Sequence, residues 1–228
     1  MQKSDLPALW NMEFASSVHY NEQKSGVQSE YWRASGMKTK SNPGGEDLDW
    51  WQDNGLDQVQ AYWDWLHNLP SNWKIATMPD GKPGIEWEAE AIFGGTPVKA
   101  VVDCIFEVDG ELVVIDFKSG KKTPYGVIQL ALYACAVEQL HGVRPKWGGF
   151  YMTRKAEVDE LVDLKWWKQS YFDYCFGAMN ETIKSGYFMP IVSDACQWAC
   201  SFSDQCVAVG GKDSDKYPLY QVRNTHNE

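Results

Sequence analysis

The sequence predicts an α+β fold built on one mixed sheet, and three observations carry that expectation. A helical pattern with one broad apolar face runs from Glu46 to Leu69. Three stretches of strand character follow, from Ile85 to Phe93, Val98 to Val108 and Glu111 to Lys118, separated by the turn pairs Gly94-Gly95 and Asp109-Gly110. An apolar helix from about Tyr125 to Leu140 then precedes a further strand, Lys146 to Thr153. Helix, three-strand meander, helix and strand follow one another in that order.

Each element has a local reason. Residues 8–23 carry enough apolar positions for a short helix containing His19, and the polar stretch from Gly26 to Gly45 reads as a long loop. In the next helix Trp50, Leu56, Val59, Tyr62, Trp63 and Leu66 share a face, and Pro70 and Ser71 stop it. Trp73 to Met78 is a short strand and Pro79 to Gly84 a turn. Strict alternation from Ile85 to Phe93 puts Glu86, Glu88 and Glu90 on one face. Asp109-Gly110 is a strong hairpin signal. A last long helix is expected from Leu164 to Ser185, then a cysteine-bearing segment over 193–206. These elements suggest one domain over residues 1–210, with a helical N-terminal part (8–70) and a polar tail over 211–228.

Composition narrows the function. The 228 residues are 44% hydrophobic and 14% aromatic, as expected of a globular chain that buries a core. A formal net charge of −10 excludes a generally basic surface for nucleic acid, but carboxylates gathered around a metal ion would themselves add negative charge. No segment reaches the roughly 18 consecutive apolar residues of a membrane helix, and the N-terminus lacks a secretory h-region. The default expectation is a cytoplasmic, reducing location, where the six cysteines serve as free thiols or metal ligands. The 12 tryptophans have no functional account in the sequence.

The chemistry concentrates in the hairpin. Asp103 lies within its first strand, flanked by apolar residues; Asp116 and Lys118, two apart, project from one face of its second. Counted from the turn, Asp103 and Asp116 sit about equally far on either side, so they become neighbours across the ladder. Two carboxylates and an ammonium on an apolar sheet are costly to bury unless paired or bound to metal, and a hard cation such as Mg²⁺ suits two carboxylates plus waters. An ordinary Asp–Lys salt bridge on an exposed sheet is the commoner use of such residues. Against it, Ile115 and Phe117 face one way and Val114 the other, so the strand is expected to be covered on both sides. On the following helix Gln129 and Tyr133, at i and i+4, share a face. That face serves either the site or simple helix packing.

The run Ile115 to Gly120 (IDFKSG) followed by Gln129 to Tyr133 (QLALY) is similar to the RecB-family branch of the PD-(D/E)XK nucleases, which includes phage-encoded and CRISPR-associated exonucleases. That branch carries an aspartate in one strand, (D/E)-x-K-x-G in the next and Q-x-x-x-Y on the helix after it. The resemblance implies a restriction-endonuclease-like αβββαβ core with a central mixed sheet flanked by helices. It also implies Mg²⁺ or Mn²⁺ held by Asp103 and Asp116, a catalytic Lys118, and Gln129 and Tyr133 positioning the DNA strand or the lysine.

The same branch has an upstream histidine ligand. His19, in Ala15 to His19 (ASSVH), matches its small-small-Val-His pattern, whereas His67 reads more simply as a helix C-terminal residue meeting the dipole. A surface histidine is the alternative for His19. Glu86 matches the extra acidic ligand that some members place on the first strand, although a solvated strand face explains Glu86, Glu88 and Glu90 equally well.

Cys196, Cys200 and Cys206 resemble the C-terminal trio with which some members hold a [4Fe–4S] cluster, completed there by an N-terminal cysteine. No cysteine precedes His19, so an iron–sulfur cluster, a zinc site finished by another residue, and a metal-free relic all stay open. Lys121 and Lys122, with Lys99, Arg144, Lys146, Arg154 and Lys155, are candidate phosphate contacts near the motif strands. The expected activity is a metal-dependent deoxyribonuclease, an exonuclease by resemblance. The alternatives are a non-catalytic DNA-binding or recombination accessory subunit and a structure-selective endonuclease. No G-x-x-x-x-G-K-[ST] loop is present, so strand unwinding falls to a partner such as a helicase or recombination protein.

Overall fold

The structure, a computed structural model, describes every residue except 33, 35–37, 41, 187–190, 194, 195, 197–199, 201 and 217–228. The expected polar tail therefore lies outside the described residues from 217 onward, as do parts of the Gly26–Gly45 loop. By internal contacts the chain falls into two compact units, Met1–Ala91 with Lys99–Lys168, and Ile92–Val98 with Gln169–Glu228.

The first unit opens with two helices, α1 (Leu6–Ser25) and α2 (Leu48–His67). Asp47 caps α2, its carboxylate accepting the Trp50 amide at 2.9 Å. The strands are β1 (Trp73–Ile75), β2 (Ile85–Phe93), β3 (Thr96–Val108), β4 (Glu111–Lys118), β5 (Trp147–Met152), β6 (Glu157–Val158) and β7 (Val162–Asp163), and α3 (Ile128–His141) joins β4 to β5. The sheet runs β1-β3-β4-β5-β6, with β2 also paired to β3 and β7 to β5. β3 and β4 are antiparallel and β4 and β5 parallel, so the sheet is mixed, as expected. The hairpin turn takes left-handed backbone at both central residues, Asp109 at φ 52° and Gly110 at φ 81°, which suits the right-handed twist of its strands.

β4 is buried on both faces. On one side Cys104, Phe106, Val113, Ile115 and Tyr151 form a core against Tyr62, Trp65 and Leu66 of α2. Trp65 meets Tyr151 at 4.6 Å between ring centroids, so part of the tryptophan excess is core packing. On the other side α3 lays Leu130, Ala131, Ala134 and Val137 against the sheet, all fully buried. Gly148 lets that helix close in: a Cβ there would lie 2.9 Å from Leu164, 3.0 Å from Val114 and 3.3 Å from Leu130. Each buried Leu or Val of this layer contributes about 1.5–3 kcal/mol.

Three boundaries differ from expectation by three residues or more, the first being that of β1, which ends at Ile75 and not Met78. The helix after β4 begins at Ile128, not Tyr125; Gly126, in between, disfavours helical backbone. The last helix, α4, spans Gln169–Ser185 and not Leu164 to Ser185. Asp163 accepts the Lys165 amide at 2.9 Å, while Arg144 donates to the carbonyls of Leu164 and Trp167. Those bonds hold residues 164–167 in a turn. β6 and β7, two residues each, are too short to leave a periodic signal in the sequence.

In the second unit Phe93 meets Phe172 of α4 in a tilted contact and stacks on Phe176, with ring centroids 5.8 and 5.7 Å apart. The Asp173 carboxylate accepts the Gly94 amide at 2.9 Å. No helix among the described residues is long and apolar enough to cross a membrane.

Candidate active site

β3 and β4 bring the two aspartates together. The last paired residues of the ladder are Cys104 and Ile115, and one step further Asp103 stands opposite Asp116. Directly opposed residues share a face, here the one turned to α3. Beyond that last pair the link between the strands is made by the Asp103 side chain, whose Oδ2 accepts the Phe117 amide at 2.7 Å. The side chain is thereby fixed between Asp116 and Lys118.

Four residues then form a closed ring. Lys118 Nζ lies 2.5 Å from Asp116 Oδ2 and donates to Gln129 Oε1 at 3.0 Å. Gln129 Nε2 donates to the Tyr133 hydroxyl at 2.8 Å, and that hydroxyl donates back to Asp116. The i, i+4 spacing on α3 thus serves the site: Gln129 holds the lysine and Tyr133 holds the aspartate.

The electrostatics follow from burial. Asp116 is only 1% exposed, and burial pushes its carboxyl up; Lys118 and Tyr133 work against that, while the neighbouring Asp103 charge adds to it. Burial also raises the Tyr133 phenol, against the Gln129 hydrogen bond, and the charges of Asp116, Asp103 and Glu86 push it the same way. Three carboxylates therefore act on one hydroxyl.

Glu86 is distinguished from Glu88 on β2 by its surroundings. The burial pattern exposes Glu86, Glu88 and Glu90 together, as alternation predicts. Glu88 is spent on Lys99, at 2.9 Å, whereas the Glu86 charge is felt by Cys104 and Tyr133. Glu86 also has φ 46°, a left-handed conformation that costs a non-glycine residue about 1–3 kcal/mol and is typical of functional positions. The alternation pattern gave no sign of it.

A divalent cation fits these donors. Oδ2 of Asp116 is buried and, apart from its charge contact with Lys118, makes no hydrogen bond, so it keeps lone-pair capacity for a metal. Two carboxylates with waters and a phosphate oxygen make an ordinary Mg²⁺ environment. Among the described residues no three His, Cys, Asp or Glu side chains gather as a ready-made metal cage.

The remaining candidates stand apart from the ring. His19 is exposed on α1, in an open groove with Phe14, Val18, Leu48, Asp49 and Gln52, beside a Glu22 whose carboxylate accepts the Ser29 amide at 2.8 Å. His67 contacts the Trp63 carbonyl through Nδ1 at 2.8 Å and stacks on that indole, as a helix-end residue does. Cys196, Cys200 and Cys206 are free thiols, with Cys200 exposed, and they are not gathered into a three-ligand set. Lys121 pairs with Glu46 at 3.0 Å. Lys122 is exposed in the same loop.

Residues 18–207 match the sequence profile of the PD-(D/E)XK nuclease superfamily. The chain belongs to that superfamily. Two phage proteins are similar to it. The Gene 69 protein of Mycobacterium phage D29 is 32% identical over 183 residues, covering 78% of this chain and 65% of the phage protein. The Gene 69 protein of Mycobacterium phage L5 is 31% identical over 131 residues, covering 55% of this chain and 44% of the phage protein. The chain thus spans less than two thirds of the length of either relative. The superfamily's typical divalent metal agrees with the donor set that the hairpin and α3 assemble.

Proposed function

We propose that this protein is a divalent-metal-dependent deoxyribonuclease of the RecB-like branch, acting on linear DNA from its ends. The closed ring of Asp116, Lys118, Gln129 and Tyr133, with Asp103 opposite, is the observation that carries this reading. Each member matches a position of the branch's motif, and the ring gives every one a physical task. A non-catalytic binding subunit would have no need to keep a buried, desolvated aspartate beside a tethered lysine.

In this reading Asp103 and Asp116 hold Mg²⁺ or Mn²⁺, with Glu86 as a further acidic donor on the same side. Bound there, the cation supplies a polarised phosphoryl oxygen and a water of lowered pKa. Lys118, its ammonium aimed by Gln129, orients the attacking water or meets the charge that develops on the phosphate. Tyr133 holds Asp116 against rotation. His19 is assigned as an additional metal ligand on the branch's pattern alone. Cys196, Cys200 and Cys206 correspond by resemblance alone to three thiolates of a [4Fe–4S] cluster and are not gathered into a ligand set, so cluster, zinc site and metal-free relic stay open, and iron and zinc analysis of anaerobically purified protein decides among them. Similarity to two phage proteins supports a role on phage DNA in the host cytoplasm, with unwinding left to a helicase or recombination partner.

The test is cleavage of end-labelled linear DNA and of covalently closed circles in Mg²⁺ or Mn²⁺. Degradation of the linear DNA alone is expected. Cutting of the circles favours the structure-selective endonuclease, and absence of any cleavage ends the enzyme reading.

A further inference from the structure

Among the described residues Glu46 is, besides Asp116, the other buried charged side chain, 5% exposed, and it takes no part in the ring described above. It precedes the α2 cap and meets two cations. Arg154 grips it with both terminal nitrogens, at 3.1 and 2.7 Å, and Lys121 reaches it at 3.0 Å. Two cations thus converge on one buried carboxylate, in a chain whose net charge is −10.

The two cations differ in freedom. Arg154 is fully committed: its Nε donates to the Ser119 carbonyl at 2.6 Å, and its guanidinium lies 5.0 Å from the Trp50 ring and 5.3 Å from Trp51. Its side chain is 17% exposed. Lys121 is 63% exposed and spends one contact on Glu46, while an ammonium has three donors to give. Burial works to raise the Glu46 carboxyl, but the hydrogen bonds from Arg154 and Lys121 hold it below its ordinary value, so it stays charged.

The position matters as much as the charge. Arg154 holds the carbonyl of Ser119, and the Thr153 amide holds that of Lys118 at 3.0 Å. The same brace therefore fixes the end of β4 that carries Lys118. Lys121 is three residues further on, within about 11 Å by chain length. That reach corresponds to about three base pairs of axial rise in duplex DNA.

We infer that Glu46, locked by Arg154, presents Lys121 as a pre-organised contact for a DNA backbone phosphate near the one being cleaved. The inference rests on the nuclease reading and adds to it a phosphate subsite with its own positioning residues. Lys121 keeps its Glu46 contact and turns its remaining donors to the phosphate. Because the lysine is already held, little side-chain entropy is lost on binding.

A rival physical account gives the opposite sign, which makes the idea testable. If Glu46 merely masks Lys121, Glu46→Gln frees the ammonium and tightens DNA binding. If Glu46 pre-organises it, the same substitution weakens binding severalfold, although the protein becomes more positive. The experiment is anisotropy of a fluorescently labelled linear duplex with the full chain in EDTA, across a salt series. Lys121→Ala, at an exposed position that leaves folding intact, is expected to lower the log–log salt slope by about 0.9, the share of one phosphate contact. Lys184→Ala, on α4 and paired with Glu181, is the control and leaves the slope unchanged. An unchanged slope for Lys121→Ala, or tighter binding by a folded Glu46→Gln, overturns the inference. If the wild type cleaves DNA with Mg²⁺ but Lys121→Ala keeps its slope, only the subsite is lost. If the wild type neither binds nor cleaves, the nuclease reading fails with it.

Discussion

The Asp103 carboxylate accepts the backbone N–H of Phe117 at 2.7 Å, so the residue between Asp116 and Lys118 is the one that anchors the opposing aspartate. Two substitutions at Asp103 separate its structural task from its chemical one. Asp103→Asn keeps an acceptor for the Phe117 amide and removes the charge; cleavage is lost while the urea midpoint changes little. Asp103→Ala loses cleavage too, and additionally leaves the amide without a partner, at a cost of about 1–3 kcal/mol. Equal stability of the two variants in denaturant titrations contradicts this division of labour.

Lys118 and Gln129 act in series. Lys118→Ala is expected to lower single-turnover cleavage by about 10²–10³-fold, the usual effect of removing one charge-stabilising donor. Gln129→Leu leaves the ammonium in place but untethered, and a loss of about 10–100-fold is expected, typical of groups that orient others. Tyr133→Phe retains the packing of α3 and loses the hydroxyl that bonds Asp116, so its effect falls below that of Lys118→Ala. A Gln129→Leu rate equal to wild type shows that the lysine needs no aiming.

Asp116 sets stability against activity. Burial raises its carboxyl above the ordinary value of 3.8, so folding favours the protonated form. Its stabilising share is complete below the ordinary value and is lost as pH rises through the raised one. At neutral pH the ionised residue is a net cost, and Asp116→Asn is expected to melt at a higher temperature than wild type while being inactive. The difference shrinks on acidification towards pH 3.8. Metal binding runs the other way, weakening as pH falls through the raised value because the ligand must be deprotonated. Thermal melts and Mg²⁺-binding isotherms across that window check both signs.

Gly148 tests the closeness of α3 to the sheet. A methyl group at this position meets Leu164, Val114 and Leu130 within 2.9–3.3 Å. Gly148→Ala is expected to cost about 1–3 kcal/mol by overpacking. Because α3 carries Gln129 and Tyr133, the variant is also expected to cleave more slowly than its loss of stability alone explains. Unfolding curves and rates measured on the same preparation test this.

Much of the site was legible because strand and helix periods place residues without further information. Alternation put Asp116 and Lys118 on one face, the Asp109-Gly110 turn set Asp103 opposite, and i, i+4 spacing joined Gln129 to Tyr133. What those periods do not carry is the pairing between distant segments. Nothing in the local pattern around Glu46 announces a carboxylate bound to Arg154, 108 residues away. The φ 46° of Glu86 was equally silent, since alternation treats it like Glu88 and Glu90. The start of α4 is hidden from the periodic pattern for a similar reason: Arg144, far back in the chain, takes carbonyls that a longer helix would use.

The central claim is that Asp116 and Lys118 form a metal-assisted phosphodiesterase site. Its most direct test is the loss of end-labelled linear DNA in Mg²⁺ and in Mn²⁺, with wild type, Asp116→Asn and Lys118→Ala purified in parallel and shown to be folded. Metal-dependent degradation by the wild type, abolished in Asp116→Asn and lowered by about 10²–10³-fold in Lys118→Ala, is the predicted result. Cleavage that persists undiminished in either folded variant, or that proceeds at full rate in EDTA, contradicts the account.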